Sequence, residues 1–582
     1  MTSAVRAVST SDGLWRRLLV TWAKTAGWLV LLGAIYFVRV RYRSTDEAFF
    51  LTQDLPVLAL GGLLILALRW VPAAPAMLRP AAWMSPRIVV LAMAALCVLI
   101  GTVCARPVFE GYHLSLDEFM ADFDARIFAQ GQVMAPTPLQ WRPFIPALQP
   151  IFGLPVPGHA YWASAYLPLN AAVRGLAMRF GVQALVNPLW SGLAVVAVWG
   201  VARRLWPDRP WLAVAAAALL ASSSQLLITA MTAYAMPAHL ALNLVWLWLF
   251  LRGGRLGHAG ALVVGFVACG LHQVAFHPLF VAPFVLQLWL DRRWSAAALY
   301  TAAYGAICLF WVLYWSLLLK AVGVAPQSAG AVGAGWFAAR VGDLLKHVNP
   351  GALGIMAESL VRFVTWQNPL AAPLALLGVG GAMRAKGVMR CLVLGVVLTL
   401  VVMTLLVPSQ THGWGYRYLH GLMGSVCLLA VWSWARLTEG LPAAAKDRAS
   451  VAFVAACAVS AAVLLPLRAW QAHGYAHPYV LADAAIRRAP AQVVIVDDDA
   501  PWFDEGAVVR NDPDLRNNPK VMYLAALDEA GLRAVCARYS VLNFDGRQAA
   551  RFGMETIPLP ASPRMAKLRA VQAALRCDRR MG

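Results

Sequence analysis

The stretch SLDEFMADFDARIFAQGQ, which begins at Ser115, places four acidic residues between hydrophobic blocks long enough to cross a bilayer. Ser115 followed by Glu118 predicts a capping box, which puts Asp117 and Glu118 in a first helical turn where the helix dipole favours negative charge. Asp122 lies four residues before Arg126 and is predicted to pair with it. Asp117 and Glu118 have no such partner within the helix. They are candidates for a general base at a membrane surface, and the alternative is a helix cap with no further role.

The stretch VPSQTHGWGYRYLH, from Val407 to His420, brings polar side chains to the start of a hydrophobic segment. Arg417 is its main candidate, because a guanidinium suits a phosphate and stays charged in a partly dry site. His412 and Tyr416 are candidates for contacting the same phosphate. The alternative is an arginine that extends to lipid headgroups beside an aromatic belt.

Three histidines lie in or beside apolar segments, where buried polar groups commonly line a cavity. His272 and His277 belong to the sequence GLHQVAFHP, and His239 lies one turn from Asn243. His272 and His277 share a helix face only if the helix breaks between them. They are candidates for a cavity lining or a metal site, and polar helix ends in contact with water are the alternative. The sequence contains no HExxH motif.

The composition determines the class of protein. The 582 residues are 60% hydrophobic and 13% charged, which excludes an ordinary soluble protein. The pattern predicts a polytopic α-helical membrane protein with about thirteen transmembrane helices, if roughly 17 to 25 apolar residues cross a bilayer. The predicted spans are 18–38, 55–71, 88–105, 183–202, 210–229, 236–251, 259–276, 278–290, 296–319, 362–383, 390–408, 416–436 and 449–467.

The net charge of +21 comes mainly from short connections between these spans. Lysines and arginines collect in alternate connections, which by the positive-inside rule are cytoplasmic. This orientation places the N-terminus in the cytoplasm, and the loops 106–182 and 320–360 and the C-terminal tail outside it. The first apolar block is predicted to be a signal anchor, so the protein is expected to be multi-pass in a bacterial inner or plasma membrane. Basic loops that face anionic headgroups account for the charge, so no nucleic-acid partner is expected.

The first outer loop is too long for a connector and is rich in aromatic residues and prolines, so it is expected to be ordered. Phe119, Phe123 and Ile127 give its acidic helix one apolar side, which is predicted to lie along the lipid interface. A second amphipathic helix, which carries Arg174 and Arg179, is predicted to lie at the level of the headgroups.

The second outer loop contains FAARVGDLLKHV, residues 337–348, whose period predicts a helix on the membrane surface.

The tail, residues 469–582, has an ordinary charge content and is predicted to form a small α/β domain outside the cytoplasm, beside a transmembrane domain of residues 1–468. Its predicted strands are Val493–Val496 and parts of VMYLAAL and YSVLNF, with a helix between the last two. The three aspartates at 497–499 are either ligand-binding acids or a solvated turn. No GxGxxG or P-loop motif supports nucleotide binding.

The tail has two cysteines, Cys536 and Cys577, whereas the other seven lie in apolar segments. A tail on the oxidising side of the membrane is able to join them by a disulfide.

This arrangement resembles the GT-C membrane glycosyltransferases. The text DEFMADFDARIFAQGQV is similar to the DE-containing first loop of the protein mannosyltransferase and aminoarabinose transferase type. The likeness covers the topology of the membrane part, is sharp across residues 115–132, and is weaker at 158–170 and 412–420. It implies a donor sugar carried on a polyprenyl phosphate and an acidic catalytic residue in the first outer loop. By the motif match this residue is Asp117, with Glu118 beside it.

The chain departs from these relatives at SAYLPLN, Ser164 to Asn170, where many of them have a lysine and paired prolines. The donor phosphate is therefore expected to contact Arg417, Arg142 or Arg174. Metal dependence varies in the resembled class, so a divalent ion on Asp117 and Glu118 stays open, although adjacent acids alone make a poor metal site.

Together these features predict an inverting, polyprenyl-phosphate-sugar-dependent glycosyltransferase of the cell envelope, with a glycan, lipid or protein as acceptor outside the cytoplasm. The competing interpretation is a multispan transporter or lipid flippase. Paired broken helices in corresponding halves of the sequence, which are common in transporters, are not seen.

Overall fold

The computed structural model describes residues 11–39, 45–72, 85–149, 152–154, 156–323, 342, 351–497, 507–554, 562–577 and 579. Apart from residue 342, the helix predicted at 337–348 lies outside these residues, as do the aspartates 498 and 499.

Helices dominate the part of the chain before residue 324. They are α1 (Ser11–Arg39), α2 (Thr45–Phe49), α3 (Leu55–Ala67), α4 (Pro86–Val103), α5 (Ala105–Phe109), α6 (Leu116–Ala129), α7 (Ile145–Leu148), α8 (Leu169–Arg179), α9 (Val186–Leu205), α10 (Pro210–Ala221), α11 (Ser224–Ala230), α12 (Met236–Arg252), α13 (Gly254–Cys269), α14 (Phe276–Leu290) and α15 (Trp294–Ala321).

The helices after residue 350 include the last membrane segments and those of the tail. They are α16 (Ala352–Thr365), α17 (Ala371–Ala385), α18 (Gly387–Leu406), α19 (Met423–Thr438), α20 (Ala443–Val459), α21 (Leu465–Arg487), α22 (Glu529–Arg538), α23 (Gly546–Arg551) and α24 (Pro563–Ala574). The strands are β1 (Ala135–Pro136), β2 (Tyr161–Trp162), β3 (Val493–Val496), β4 (Lys520–Tyr523) and β5 (Val541–Phe544).

Within the described residues, eight helices are long and apolar enough to cross a membrane, and α10 with α11, bent by 59°, is a further candidate span. Four shorter apolar helices, α12, α13, α14 and α17, accompany them. Each predicted span overlaps one of these helices or the bent pair. The prediction of a polytopic α-helical membrane protein is therefore confirmed.

The span predicted at 362–383 begins later in the structure. Helix α16 ends at Thr365, and α17 starts only at Ala371. Pro369 lies in the break, and a proline disfavours helical backbone at the residue before it. Sequence hydropathy alone does not detect this interruption, because both sides of the break are apolar.

The tail contains a three-stranded parallel sheet in the order β4-β3-β5. Strand β3 has the predicted bounds, all four of its residues are buried, and α22 connects β4 to β5 as predicted. Parallel strands need such a crossover, and a central strand is covered on both faces, which explains why the sequence of β3 is continuously apolar. The domain boundary at 468 stays a prediction, and α21 runs through this position without interruption.

The apolar side of α6 is buried in a cluster that also contains residues of the tail. Phe123 and Ile127 are buried in one cluster with Val493, Ile495 and Met522. The prediction that this side lies along the lipid interface is therefore wrong, because a folded partner from the end of the chain covers it instead of lipid.

Candidate active site

Helix α6 begins with the predicted capping box. The hydroxyl of Ser115 accepts the backbone N–H of Glu118 at 3.2 Å, and the backbone N–H of Ser115 donates to the Glu118 carboxylate at 3.2 Å. This cap fixes the first turn of the helix and with it the position of Asp117. Asp117 is 8% exposed, so its carboxylate lies in a largely dry setting.

The carboxylate of Asp117 forms an ion pair with the guanidinium of Arg417, although the two residues are 300 positions apart. Arg417 opens a 3₁₀ turn, Arg417–Leu422, that leads directly into α19. Its backbone N–H donates to the side-chain oxygen of Gln410 at 2.9 Å, and its guanidinium donates to the Gln410 carbonyl at 2.7 Å. The loop before the span therefore holds the arginine at two points.

The second oxygen of Asp117 accepts a hydrogen bond from the hydroxyl of Tyr166. The ring of His272 stacks on Tyr166 with a centroid distance of 4.0 Å. Burial lowers the pKa of His272 to about 4, so this histidine is neutral at pH 7. Burial alone would raise the pKa of Asp117, but the charge of Arg417 and the Tyr166 hydrogen bond hold it below its ordinary value. Asp117 is therefore ionised at neutral pH.

Glu118 points to different partners from Asp117. Besides the cap, its carboxylate accepts the backbone N–H of Ala233 at 3.3 Å, in the turn between α11 and α12. Burial raises the pKa of Glu118 to about 7, although the hydrogen bonds from Ser115 and Ala233 oppose the rise. The contacts assign Glu118 a positioning role, because it ties the start of α6 to the membrane helices.

The other acids of α6 also have partners. Asp122 pairs with Arg126 at 3.2 Å, as predicted, and lies 3.9 Å from a guanidinium nitrogen of Arg174. Asp124 accepts the backbone N–H of Ser164 at 2.8 Å, and burial raises its pKa to about 7. Arg174 is 4% exposed and faces Asp122 of α6, so its side chain is buried within the protein, and the position of its helix at the level of the headgroups stays a prediction.

The remaining phosphate candidates are His412, Tyr416 and Arg142. His412 lies close to the site, since its Nδ1 is 3.3 Å from the hydroxyl of Tyr234, whose ring lies 5.7 Å from the Arg417 guanidinium. Tyr416 is fully buried, and its backbone carbonyl accepts a hydrogen bond from Gln225. Arg142 donates to the carbonyl of Thr137 at 3.2 Å, and no contact of its side chain with Asp117 or Arg417 is seen among the described residues.

A small hollow lies beside Arg417, between α12, α14, α18 and the 3₁₀ turn. Its lining includes Arg417, Tyr418, His239, Asn243 and Thr399. His239 is 3% exposed, and within the described part of the chain neither of its ring nitrogens has a hydrogen-bond partner. The hydroxyl of Thr399 is likewise buried without a partner there. Buried polar atoms of this kind are costly unless something bonds to them, and a hollow of about 10 Å³ has room for about one water molecule.

His277, unlike His239, has a hydrogen-bond partner for each ring nitrogen. Its Nδ1 lies 2.7 Å from the Asn243 side-chain oxygen, and its Nε2 lies 2.8 Å from the hydroxyl of Tyr304. Both ring nitrogens are therefore occupied by side chains of neighbouring helices, which suits a structural role in the wall behind the pocket.

The loop that carries Arg417 is hydrogen-bonded to a buried cluster of charged side chains, which the sequence analysis did not identify. Asp54 accepts from Arg362 and Arg468, each at 2.9 Å, and the Nε of Arg362 donates to the carbonyl of Gly413 at 2.8 Å. All three charged side chains are almost completely buried. The available signal was an aspartate beside an apolar segment, which usually has a charged partner.

A second missed cluster combines Glu110 with His473 and His477, whose ligand atoms lie within 4.8 Å of one another. The spacing His-x-x-x-His in HGYAH was the available signal, since residues four apart share a helix face. The sequence analysis instead considered Asp117 and Glu118 as metal ligands, and these carboxylates have different partners in the structure.

Comparison with known proteins gives likenesses in structure alone. No family model matches the chain, and no curated protein matches it. ArnT from Cupriavidus metallidurans, bound to undecaprenyl phosphate, is similar over 73% of this chain and 85% of that chain, with 14% identity and a TM-score of 0.45.

Two further solved structures are similar. The oligosaccharyltransferase AglB from Archaeoglobus fulgidus matches 72% of this chain and 64% of its own, with 12% identity and a TM-score of 0.40. The arabinofuranosyltransferase AftD from Mycobacteria matches 75% of this chain and 32% of its own, with 17% identity and a TM-score of 0.35. All three likenesses concern the fold alone. At these TM-scores and identities, no donor, acceptor or residue role is carried over from them.

Proposed function

We propose that the protein is an inverting glycosyltransferase that moves a sugar from a polyprenyl-phosphate donor to an acceptor hydroxyl outside the cytoplasm. The observation that carries the proposal is the buried ion pair between Asp117 and Arg417. It joins a carboxylate of the first outer loop to a guanidinium at the head of a span. A base and a phosphate-binding cation are the two groups that such a transfer needs.

The proposed reaction is a single displacement at the anomeric carbon. Asp117 removes the proton from the acceptor hydroxyl, and the freed oxygen attacks the anomeric carbon from the face opposite the phosphate. The bond between that carbon and the phosphate oxygen breaks, and the polyprenyl phosphate leaves with the electron pair. Arg417 stabilises the charge that develops on the leaving phosphate.

The ion pair makes the basicity of Asp117 depend on whether the donor is bound. Without donor, Arg417 lowers the pKa of Asp117, so the carboxylate is a weak base. A donor phosphate beside Arg417 offsets the guanidinium charge, and burial then raises the proton affinity of Asp117. The base is therefore strengthened when the donor arrives, which keeps it weak while the site is empty.

The donor headgroup would enter at the hollow beside Arg417, which has to widen to admit a sugar because its volume of about 10 Å³ holds about one water molecule. The unpartnered nitrogens of His239 and the hydroxyl of Thr399 are available to sugar hydroxyls, while Phe276 offers an apolar ring on the same lining. The pocket lies among membrane helices, so the polyprenyl chain is able to stay in lipid while the phosphate reaches Arg417.

The test compares Asp117→Asn with the wild-type protein in release of polyprenyl phosphate from labelled undecaprenyl-phosphate sugars, with cell-envelope extract as the source of acceptor. Loss of a general base is expected to reduce the rate by roughly 10²- to 10⁴-fold. Asp208→Asn, at an exposed turn between α9 and α10, is the matched control and is expected to keep the wild-type rate.

Asp117→Asn leaves a buried arginine unpaired, so folding needs a separate control. The double variant Asp117→Asn with Arg417→Gln removes both charges and is expected to melt closer to the wild type than the single variant does. Wild-type rates in a folded Asp117→Asn protein would refute the base assignment. Movement of labelled lipid across vesicles without any sugar transfer would favour the flippase interpretation.

A further inference from the structure

A cluster of two histidines and one glutamate lies apart from the proposed transfer site. Glu110 follows α5, and His473 and His477 lie one turn apart on α21. The Nδ1 of His477 is 2.6 Å from a carboxylate oxygen of Glu110, and the Nδ1 of His473 is 3.8 Å from the same oxygen. The two imidazole centroids are 5.1 Å apart. Three potential metal ligands therefore converge from two segments of the chain.

We propose that Glu110, His473 and His477 bind a divalent transition metal of the zinc type. Two imidazoles with one carboxylate are a donor set that zinc accepts, with water in the fourth position. The alkaline-earth ions prefer oxygen ligands, so the two nitrogens select against them. The side chains are 34% to 42% exposed, which leaves room for the water and an entry path for the ion.

A neighbouring backbone group competes for one ligand atom. The Nδ1 of His473, which faces Glu110, also lies 3.3 Å from the carbonyl of Val108. A bound ion therefore has to replace this contact and take the Nδ1 lone pair, with the imidazole proton on Nε2. Arg106 lines an open hollow beside Glu110, and its exposed position allows its charge to remain in water.

The bound metal would link the segment before α6 to α21, the helix that leads into the tail, and this link is called the clasp. Glu110 precedes the acidic helix, and α21 carries Tyr475, whose ring stacks on His412 at 5.5 Å. The clasp joins these two segments. It takes no part in the transfer chemistry, so its existence does not depend on the proposed function.

The test uses the full chain, purified in detergent without a histidine tag and treated with a chelator. Zinc chloride is titrated into the protein by calorimetry, and bound metal is counted by elemental analysis after desalting. We expect one zinc ion per chain in the wild type and none in the double variant His473→Ala with His477→Ala. His258→Ala, which removes a histidine from α13, is the matched control and is expected to bind as the wild type does.

Two further measurements guard against a misfolded double variant. Glu110→Gln keeps the shape of the side chain and is expected to weaken zinc binding by at least roughly 10- to 100-fold, the usual effect of losing even an outer partner of a ligand. Zinc is also expected to raise the melting temperature of the wild type and not that of Glu110→Gln. Failure of the wild type to bind zinc at micromolar concentration, or equal binding by wild type and Glu110→Gln, overturns the proposal. In that case the contacts are histidine–glutamate hydrogen bonds alone.

Discussion

Asp117 is a carboxylate on which burial and a neighbouring charge act in opposite directions. Removal from water raises the pKa of Asp117, whereas Arg417 and the Tyr166 hydroxyl lower it, and the net shift is downward. A group with this balance changes its proton affinity strongly when its partner is neutralised. The proposed donor phosphate is such a neutralising partner.

Replacement of Arg417 by glutamine tests this balance. The substitution removes the positive charge but not the burial, so the pKa of Asp117 is expected to rise. In the wild type the base is lost only when the pH falls below the ordinary range of an aspartate, because the folded-state pKa is depressed. In Arg417→Gln the acid limb of kcat/KM is expected to move to higher pH, together with a lower rate from loss of the phosphate contact.

The readout is the midpoint of the acid limb and not the rate, since the rate also reports on donor binding. Arg179→Gln is the control, because Arg179 is exposed and donates to the carbonyl of Ala129 at the far end of α6. An acid limb that stays in place in Arg417→Gln would show that Asp117 is not the titrating base.

At the scale of elements, the site depends on how closely α6 and α8 approach each other. A Cβ at Gly175 would lie 2.7 Å from the carbonyl oxygen of Ala125 and 3.0 Å from the Cβ of Phe128. A glycine is therefore required at this crossing. The capping box at one end of α6 and this crossing near the other end together set the direction in which Asp117 points.

Substitution of Gly175 by alanine is expected to push α6 away from α8. Insertion of a methyl group into a packed contact typically costs about 1 to 3 kcal/mol, and here it outweighs the gain that alanine gives within a helix. Activity is expected to fall with stability, because the displaced helix carries Asp117. The measurement is thermal unfolding in detergent together with the transfer rate.

Gly305→Ala in α15 is the matched control, because a Cβ there meets no atom within 4 Å. It is expected to be neutral or slightly stabilising. If both glycine substitutions had the same effect, the close approach of α6 to α8 would not be what limits the site.

At the scale of the whole molecule, the tail is hydrogen-bonded to the long loop of residues 106–182. The indole of Trp162 donates to the carbonyl of Pro513 at 2.7 Å, and Arg510 donates to the carbonyl of Leu114 at 3.2 Å. Together with the apolar cluster that includes Phe123, these contacts hold the acidic helix between the membrane part and the tail. We infer that the tail fixes the position of the first outer loop.

The structure joins Cys536 and Cys577 by a disulfide that closes a loop with a sequence separation of 41. This bond forms readily only if the tail lies on the oxidising side of the membrane, so it reports on the predicted orientation. Peptide mapping of non-reduced protein is expected to recover the linked pair. Cys536→Ser is expected to destabilise the tail by about 2 to 4 kcal/mol, seen as faster limited proteolysis.

Cys308→Ser, in α15, is the control and is expected to leave both the linked peptides and the proteolysis rate unchanged. Complete alkylation of Cys536 and Cys577 in freshly extracted protein, without a reductant, would contradict the predicted position of the tail.

Features that depend on near neighbours in the chain were predictable. The capping box at Ser115, the pair of Asp122 with Arg126 and strand Val493–Val496 follow from spacings of a few residues and from local propensity. The positions of the apolar helices followed from hydrophobicity in the same way, whereas the predicted number of about thirteen spans stays a prediction, since eight described helices and one bent pair are long and apolar enough to cross a membrane. A break such as the one around Pro369 was missed because hydropathy does not register the loss of a helical turn.

The sequence by itself therefore determined that this is a multispan membrane protein with an acidic, capped helix in its first long loop and a small α/β tail. Only the tertiary structure decided that Asp117 meets Arg417, that the tail covers the apolar side of α6, and that Glu110 meets His473 and His477. The physical reason is the separation along the chain between the residues that interact. Caps, spans and strands are set by the solvent preference and backbone geometry of adjacent residues. The tertiary contacts depend on how distant segments pack, which no local pattern encodes.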